Sequence, residues 1–261
     1  MSAAIVKNKR VGIVFFIYIN SKKNYKKIIK AQLNDLILSG VLTVADLHLV
    51  INISDDVNCK DDLNLLFSTF NISITSILYT EENYFEYEGI SKLYELALSN
   101  KYDYLSYFHT KGMSYKKHLF FKRSPREIVL TYLNFYNYKN TIQLFDSNSD
   151  INKISPFPSL DDDSKKQGQW SWFNFYWIRA CFVKSIEKPQ KTLDRFYYEG
   201  WTKHLMNQKS SNNDNYSLYY KKIIGLKQED VSVKLRNLGK LYKYLFPFSR
   251  LYLLVQYNLH K

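Results

Sequence analysis

Tyr102 to Tyr115 reads YDYLSYFHTKGMSY, an apolar strand that runs straight into the polar group His109-Thr110-Lys111-Gly112. Side chains on a strand alternate between its two faces, so His109 and Lys111 point the same way, and Gly112 lets the chain turn sharply. In open α/β sheets, ligands bind just beyond the carboxyl ends of the strands. An imidazole and an ammonium placed there would meet an anionic group. The stretch therefore predicts a buried sheet strand whose end opens on a crevice.

Upstream of it, strand and helix patterns alternate. Residues 10–19 are apolar and β-branched with polar residues on both sides, which predicts a fully buried first strand. Residues 22–39 place Ile28, Ile29, Leu33, Leu36 and Ile37 at helical spacing and stop before Gly40. Strands at 45–54 and 73–80, with a helix at 60–70 between them, continue the alternation. Residues 87–99 put Ile90, Leu93, Ala97 and Leu98 on one helical face, with Glu86 and Glu88 at the positive end of the helix dipole. Repeated strand–helix–strand units imply an α/β fold, a mostly parallel sheet flanked by helices with right-handed crossovers.

Downstream, Ser124-Pro125-Arg126-Glu127 predicts the start of a helix over 124–138, with Ser124 and Glu127 as a capping box and Pro125 at the first position. That start aims Arg126 toward the strand ends. Residues 146–171 turn polar and predict a loop or lid. Within it, Asp161-Asp162-Asp163 is read as a solvated acidic turn, with a divalent-cation site as the alternative. The aromatic run WSWFNFYWIRA after it suits core, or a platform for stacking sugars or bases. From 229 onward, Val233, Leu235, Leu238, Leu241 and Leu245 alternate with Lys234, Arg236, Lys240 and Lys243, the pattern of a basic amphipathic helix. The chain thus divides into an α/β domain over 1–228 and a helical extension over 229–261. The extension packs on the domain or makes peripheral contact with a membrane.

Composition narrows the class. A chain of 261 residues with 23 tyrosines and 17 phenylalanines buries enough apolar surface to order itself. A formal net charge of +13 favours anionic partners, but the lysines are spread along the chain rather than gathered in a tail. Cys59 and Cys181 have no CxxC spacing, so neither a disulfide framework nor a zinc site is read, and a reducing, cytoplasmic setting is the simplest. No small-residue cleavage site follows VGIVFFIYI, and no apolar run approaches the roughly 18 residues of a membrane span.

Four segments taken in order carry a resemblance. Glu88-Gly89-Ile90-Ser91-Lys92-Leu93, then Tyr107-Phe108-His109-Thr110-Lys111-Gly112, then Trp172-Phe173-Asn174-Phe175-Tyr176-Trp177, then Arg195 with Tyr198-Glu199-Gly200-Trp201, together resemble a group of GT-A-like glycosyltransferases. These belong to large DNA viruses and bacterial surface-polysaccharide clusters and include relatives of rhamnan-synthesis enzymes. The resemblance spans about residues 10–205. It implies a Rossmann-like GT-A sheet, a nucleotide-sugar donor of UDP or dTDP type and a glycan or other hydroxyl acceptor. Ser124-Pro125-Arg126 keeps only the Arg of the family's Trp-Arg, Trp172-Phe173-Asn174 lacks its Gly, and His109-Thr110-Lys111 stands where GT-A enzymes usually carry Asp-x-Asp. Dependence on Mn²⁺ or Mg²⁺ is therefore left open.

Sugar transfer must neutralise a leaving diphosphate, which a fixed cation such as Lys111 or Arg126 can do electrostatically in place of a metal. His109 would hydrogen-bond the diphosphate, ligate a metal or orient its loop. Glu199, beside Tyr198 and Trp201, is the candidate general base for an inverting reaction, against a plain ion pair with Arg195 at i, i+4. Asn174 and Trp177 would hold donor or acceptor by hydrogen bond and stacking, and Gly112, Glu88 and Arg195 complete the candidate binding set. Asn20 would approach the nucleotide or cap the next helix. The competing class, a basic nucleic-acid-binding protein, lacks any RRM, KH, zinc-finger or helix-turn-helix signature, so no nucleic acid is expected.

Overall fold

Eight residues from Val11 to Tyr18 form the strand around which the sheet is built, and all but the last are buried. The structure, a computed structural model, describes residues 10–110, 124–160, 167–206 and 214–239. In chain order it runs β1 (Val11–Tyr18), α1 (Tyr25–Ser39), β2 (Ala45–Asn52), α2 (Lys60–Ser68), β3 (Ile74–Thr80), α3 (Tyr87–Leu98) and β4 (Tyr104–His109). There follow α4 (Pro125–Phe135), α5 (Tyr138–Ser147), β5 (Lys153–Ser155), β6 (Pro158–Leu160), β7 (Gln167–Ser171) and β8 (Tyr176–Arg179). Then come α6 (Ala180–Val183), α7 (Arg195–Gly200), β9 (Asn215–Ser217), β10 (Lys222–Ile223) and a helix over 228–239.

The main sheet has the order β10-β9-β5-β8-β4-β1-β2-β3. Strands β3, β2, β1 and β4 are mutually parallel, as the alternating patterns predict, while β8 lies antiparallel between β4 and β5. This is the mostly parallel, helix-flanked α/β sheet that the resemblance implies. Alternation along β1 separates two cores. Val11, Ile13, Phe15 and Ile17 join α1, α2, α4 and α5 on one face, and Val14 and Phe16 join α3, α6 and α7 on the other. Full burial of side chains such as Ile29, Leu33 and Leu36 of α1 contributes about 1.5–3 kcal/mol each. On β4 the same alternation turns Tyr107 toward α3, and His109 shares its parity.

Three expectations need correction. The polar stretch 146–171 is not a lid throughout: Ile151, Ile154 and Phe157 are buried, and β5, β6 and β7 fall within it. These strands are too short to show a period. The acidic turn Asp161-Asp162-Asp163 lies outside the described residues. The helix from 124 stops at Phe135 and a second one starts at Tyr138. Its capping box does not form either, because the Ser124 hydroxyl makes no capping bond and the buried Glu127 accepts from Thr131 Oγ1 at 2.6 Å. In the extension, Val231 and Leu235 are buried in the main core while Val233 is exposed, so the helix over 228–239 packs on the domain; residues 240–261 lie outside the described part.

At the amino end of the sheet, a polar chain runs from the exposed Lys101 and the partly exposed Asp46 to the buried Tyr102 and His48. Lys101 pairs with Asp46 at 2.8 Å, Tyr102 Oη donates to Asp46 Oδ2 at 2.7 Å, and His48 Nε2 lies 2.8 Å from the same hydroxyl. Since the tyrosine proton is used on Asp46, Nε2 of His48 carries the ring hydrogen, and Nδ1 accepts from Ser76 Oγ at 2.7 Å. Burial pushes the His48 imidazole down to about 4.

Candidate active site

Beyond β1 the chain turns through Asn20, whose Oδ1 accepts from Lys22 N at 3.0 Å and whose carbonyl accepts from Lys23 N at 2.9 Å. Asn20 therefore holds the turn, and the cap of α1 falls to Asn24, whose Oδ1 accepts from Lys27 N at 3.2 Å. This is why α1 starts at Tyr25 rather than at 22. Ser21 donates both its N–H and its hydroxyl to Asp55 Oδ2, each at 2.8 Å, and these two donors hold the Asp55 carboxyl below the usual range. Ser21 through Lys26 line a shallow, open surface depression of about 330 Å³. Lys22, Lys23 and the amino end of α1 bring positive charge to it, while Lys26 pairs with Asp62 and Ser21 bonds Asp55.

One strand over, Thr110 ties the end of β4 to β1: its N–H donates to Phe16 O at 3.0 Å and its Oγ1 accepts from Tyr18 N at 2.9 Å. Gln32 of α1 donates to the His109 carbonyl at 3.3 Å. The His109 ring turns the other way. Its Nε2 donates to Phe173 O at 2.9 Å and lies 3.9 Å from Glu86 Oε1, and its ring packs at 5.4 Å from Phe175. Glu86 Oε2 accepts from Tyr107 Oη at 3.0 Å and from Asn174 Nδ2 at 2.9 Å. Asn174 Nδ2 also donates to Tyr198 O at 3.2 Å, which joins α7 to the cluster. Burial raises the Tyr107 phenol well above its ordinary value, so it remains a proton donor.

The backbone around the cluster is strained. Phe85, Phe173 and Asn174 all have left-handed φ, at 54°, 69° and 51°. Non-glycine residues there cost on the order of 1 kcal/mol or more each, and such strain gathers at ligand sites. The two consecutive residues sit in a single turn before β8, where they present the Phe173 carbonyl to His109 and the Asn174 amide to Glu86.

Of the sequence-predicted residues, the structure brings His109 and Asn174 together. Glu88 sits half-buried in the first turn of α3, where burial raises its carboxyl and Lys191 opposes the rise. Glu199 lies on α7 with Arg195 Nη2 3.9 Å from its carboxylate, the plain i, i+4 pair, and Arg195 is exposed. Arg126 is half-buried in the first turn of α4. Lys111 and Gly112 lie outside the described residues. Trp177 is a correction: it is wholly buried, its Nε1 donates to Asn134 O at 2.8 Å, and it packs against Phe135, so it offers no face to a ligand. Its place in β8 between β4 and β5 puts it in the sheet interior.

No protein-family model matches the chain, and no curated protein is similar to it. Among solved structures, one that matches is a protein from Desulfovibrio desulfuricans G20 described as a "putative nucleotide-diphospho-sugar transferase", at 11% identity over 70% of this chain and 71% of that one, with a TM-score of 0.37. A likeness this distant assigns neither an activity nor a residue role.

Glu86 is the member of the cluster that sequence reasoning passed over as a helix-dipole charge. Residues Glu86 and Glu88 both precede α3's apolar face, and spacing alone does not say which one turns inward. The signal lay across the sheet: Tyr107 and His109 on one face of β4 require a polar partner from the helix packed on that face. Among the described residues, no three His, Cys, Asp or Glu side chains gather to hold a metal ion, and no helix is long and apolar enough to cross a membrane.

Proposed function

We propose that this protein is a glycosyltransferase that moves a hexosyl or deoxyhexosyl group from a UDP- or dTDP-type nucleotide-sugar to a hydroxyl of a glycan. The observation that supports this most is that a lysine-lined surface depression after β1 and the polar cluster of His109 with Glu86 and Asn174 lie at the carboxyl ends of two adjacent parallel strands, β1 and β4. A long anionic donor needs both a basic cradle for its phosphates and fixed polar groups where its sugar reacts. The motif resemblance over residues 10–205 points the same way.

In this reading Asn20 and the turn after it meet the nucleotide, while His109, Lys111 and Arg126 neutralise the diphosphate that leaves. Glu88, Gly112, Asn174 and Arg195 shape the sugar sites. In an inverting reaction the acceptor oxygen bonds to the anomeric carbon as the bond from that carbon to the phosphate oxygen breaks; the hydroxyl proton passes to Glu199 and the electron pair leaves on the diphosphate. Mn²⁺ or Mg²⁺, if bound, would share the neutralisation of that charge.

A thermal-shift series with UDP, dTDP, their sugars and the parent nucleosides, with and without Mn²⁺ and Mg²⁺, tests this, because a ligand of the folded state raises apparent stability by mass action. Selective stabilisation by one nucleoside diphosphate is expected. Salt-sensitive binding to oligonucleotides with no response to any diphosphate would favour a nucleic-acid-binding role instead.

A further inference from the structure

We propose that Phe85 is a sugar-stacking residue at the lip of the candidate site, its exposed ring taking the C–H face of a pyranose that belongs to the donor sugar or to the glycan acceptor. Which sugar arrives depends on the transferase reading; the stacking itself does not. After β3 ends at Thr80, the chain crosses to α3 through Asn83, Tyr84, Phe85 and Glu86, at the carboxyl end of the sheet and beside the cluster. Phe85 has a φ of 54° there. The bend is pinned on both sides: the Phe85 N–H donates to Asn83 Oδ1 at 3.0 Å, and the Tyr87 N–H donates to Tyr84 O at 3.1 Å. The left-handed region suits glycine or asparagine, and an aromatic side chain gains nothing from it.

Packing accounts for the other left-handed residues but not for this one. Asn100 and Asn174 are of the type that tolerates the region, Lys221 closes the turn between β9 and β10, and Phe173 is buried in the main core. Phe85 is 39% exposed, belongs to neither core, and among the described residues no other ring or cation stacks on it. Its neighbours do have a partner: Lys191 Nζ lies 4.9 Å from the Tyr84 ring centre and 5.6 Å from that of Tyr87, and it bonds Glu82 at 3.0 Å. The loop is thus held in place while its middle ring is left to solvent. One residue on, Oε2 of Glu86 accepts from Tyr107 and Asn174, and Oε1 makes no hydrogen bond among the described residues. An aromatic face next to a fixed carboxylate oxygen suits a sugar, whose C–H face packs on the ring and whose hydroxyls donate to carboxylates. The same carboxylate repels a phosphate.

The test compares Phe85→Leu, which keeps the apolar character and the backbone strain but removes the aromatic face, with Phe85→Tyr, which keeps that face. The probes are methyl glycosides of glucose, galactose and rhamnose, titrated by NMR in the presence of UDP or dTDP, and UDP- and dTDP-sugars measured against bare UDP and dTDP by calorimetry. F85L should melt close to the unaltered protein, bind UDP and dTDP equally well, and bind the sugar about tenfold more weakly, while F85Y binds it normally. Loss confined to the methyl glycosides assigns the ring to the acceptor, and loss confined to the nucleotide-sugars assigns it to the donor. Sugar affinity that is equal in F85L and the unaltered protein overturns the proposal, with or without a lower melting point. So does the absence of binding by any of these sugars. If F85L does not fold, the Phe85 ring resonances of the unaltered protein, assigned by their loss in F85Y, still decide: they should shift when a sugar binds, and resonances that stay in place overturn the proposal. Phe85-dependent sugar binding with no response to any nucleotide keeps the stacking site and removes the transferase reading.

Discussion

The Tyr107 hydroxyl donates to the Glu86 carboxylate at 3.0 Å while lying against Gly89 of α3, where only a glycine leaves it room. A Cβ at Gly89 would stand 2.8 Å from that hydroxyl and 2.9 Å from Phe16 Cβ, and Phe16 is held in the central strand. The close approach of α3 to the sheet and the placement of the carboxylate are thus one requirement met by one residue.

Gly89→Ala should accordingly cost about 1–3 kcal/mol of stability, since neither contact is a free side-chain end and helix propensity recovers only part of the loss. Chemical denaturation measures the cost. A gain in stability would mean that α3 is not seated as closely as the structure has it.

His48 gives a dependence on acid. Its folded-state value of about 4 lies below its ordinary 6.5, so between those limits the unfolded chain binds the extra proton and the folded one does not. Stability that is complete above about pH 6.5 should fall as pH drops toward 4, by at most about 3 kcal/mol, and then flatten for this group. Denaturation at a series of pH values should show His48→Gln less stable at neutral pH but with a shallower slope across that window. An unchanged slope would mean that another group sets it.

Trp177→Phe should lower stability by about 1–3 kcal/mol through the lost bond to Asn134 O and the space left in the sheet interior. Nucleotide and sugar affinities measured well below its melting point should not change. A large loss of affinity would return Trp177 to the binding site.

The β1-to-β4 half of the fold is readable from the chain because its strands are long, apolar and separated by helices with clear periods. β5, β6 and β7 are not readable, because three to five residues cannot display alternation and Lys153, buried beside Asp214 at 3.4 Å, disguises one of them as polar loop. At the site, His109 and Asn174 announce themselves by polar residues at strand ends. Glu86 does not, because its meaning depends on Tyr107 and Asn174, which are 21 and 88 positions away. Trp177 misleads for the opposite reason: a tryptophan in an aromatic run reads equally as platform or core, and only the position of β8 between two strands decides.

Glu199→Gln, if Glu199 takes the acceptor proton, should abolish sugar transfer while nucleoside-diphosphate affinity stays within about twofold. Lys111→Ala should weaken diphosphate binding more than nucleoside binding. Unchanged turnover in the first, or equal losses in the second, would remove that residue from its role.

The most direct measurement is release of nucleoside diphosphate from UDP- and dTDP-sugars by the purified protein, with and without a glycan acceptor and divalent cations. The account predicts release from one donor class, accelerated by acceptor and lost in His109→Gln. No release from any donor, by protein whose melting curve also ignores every nucleotide, would contradict it.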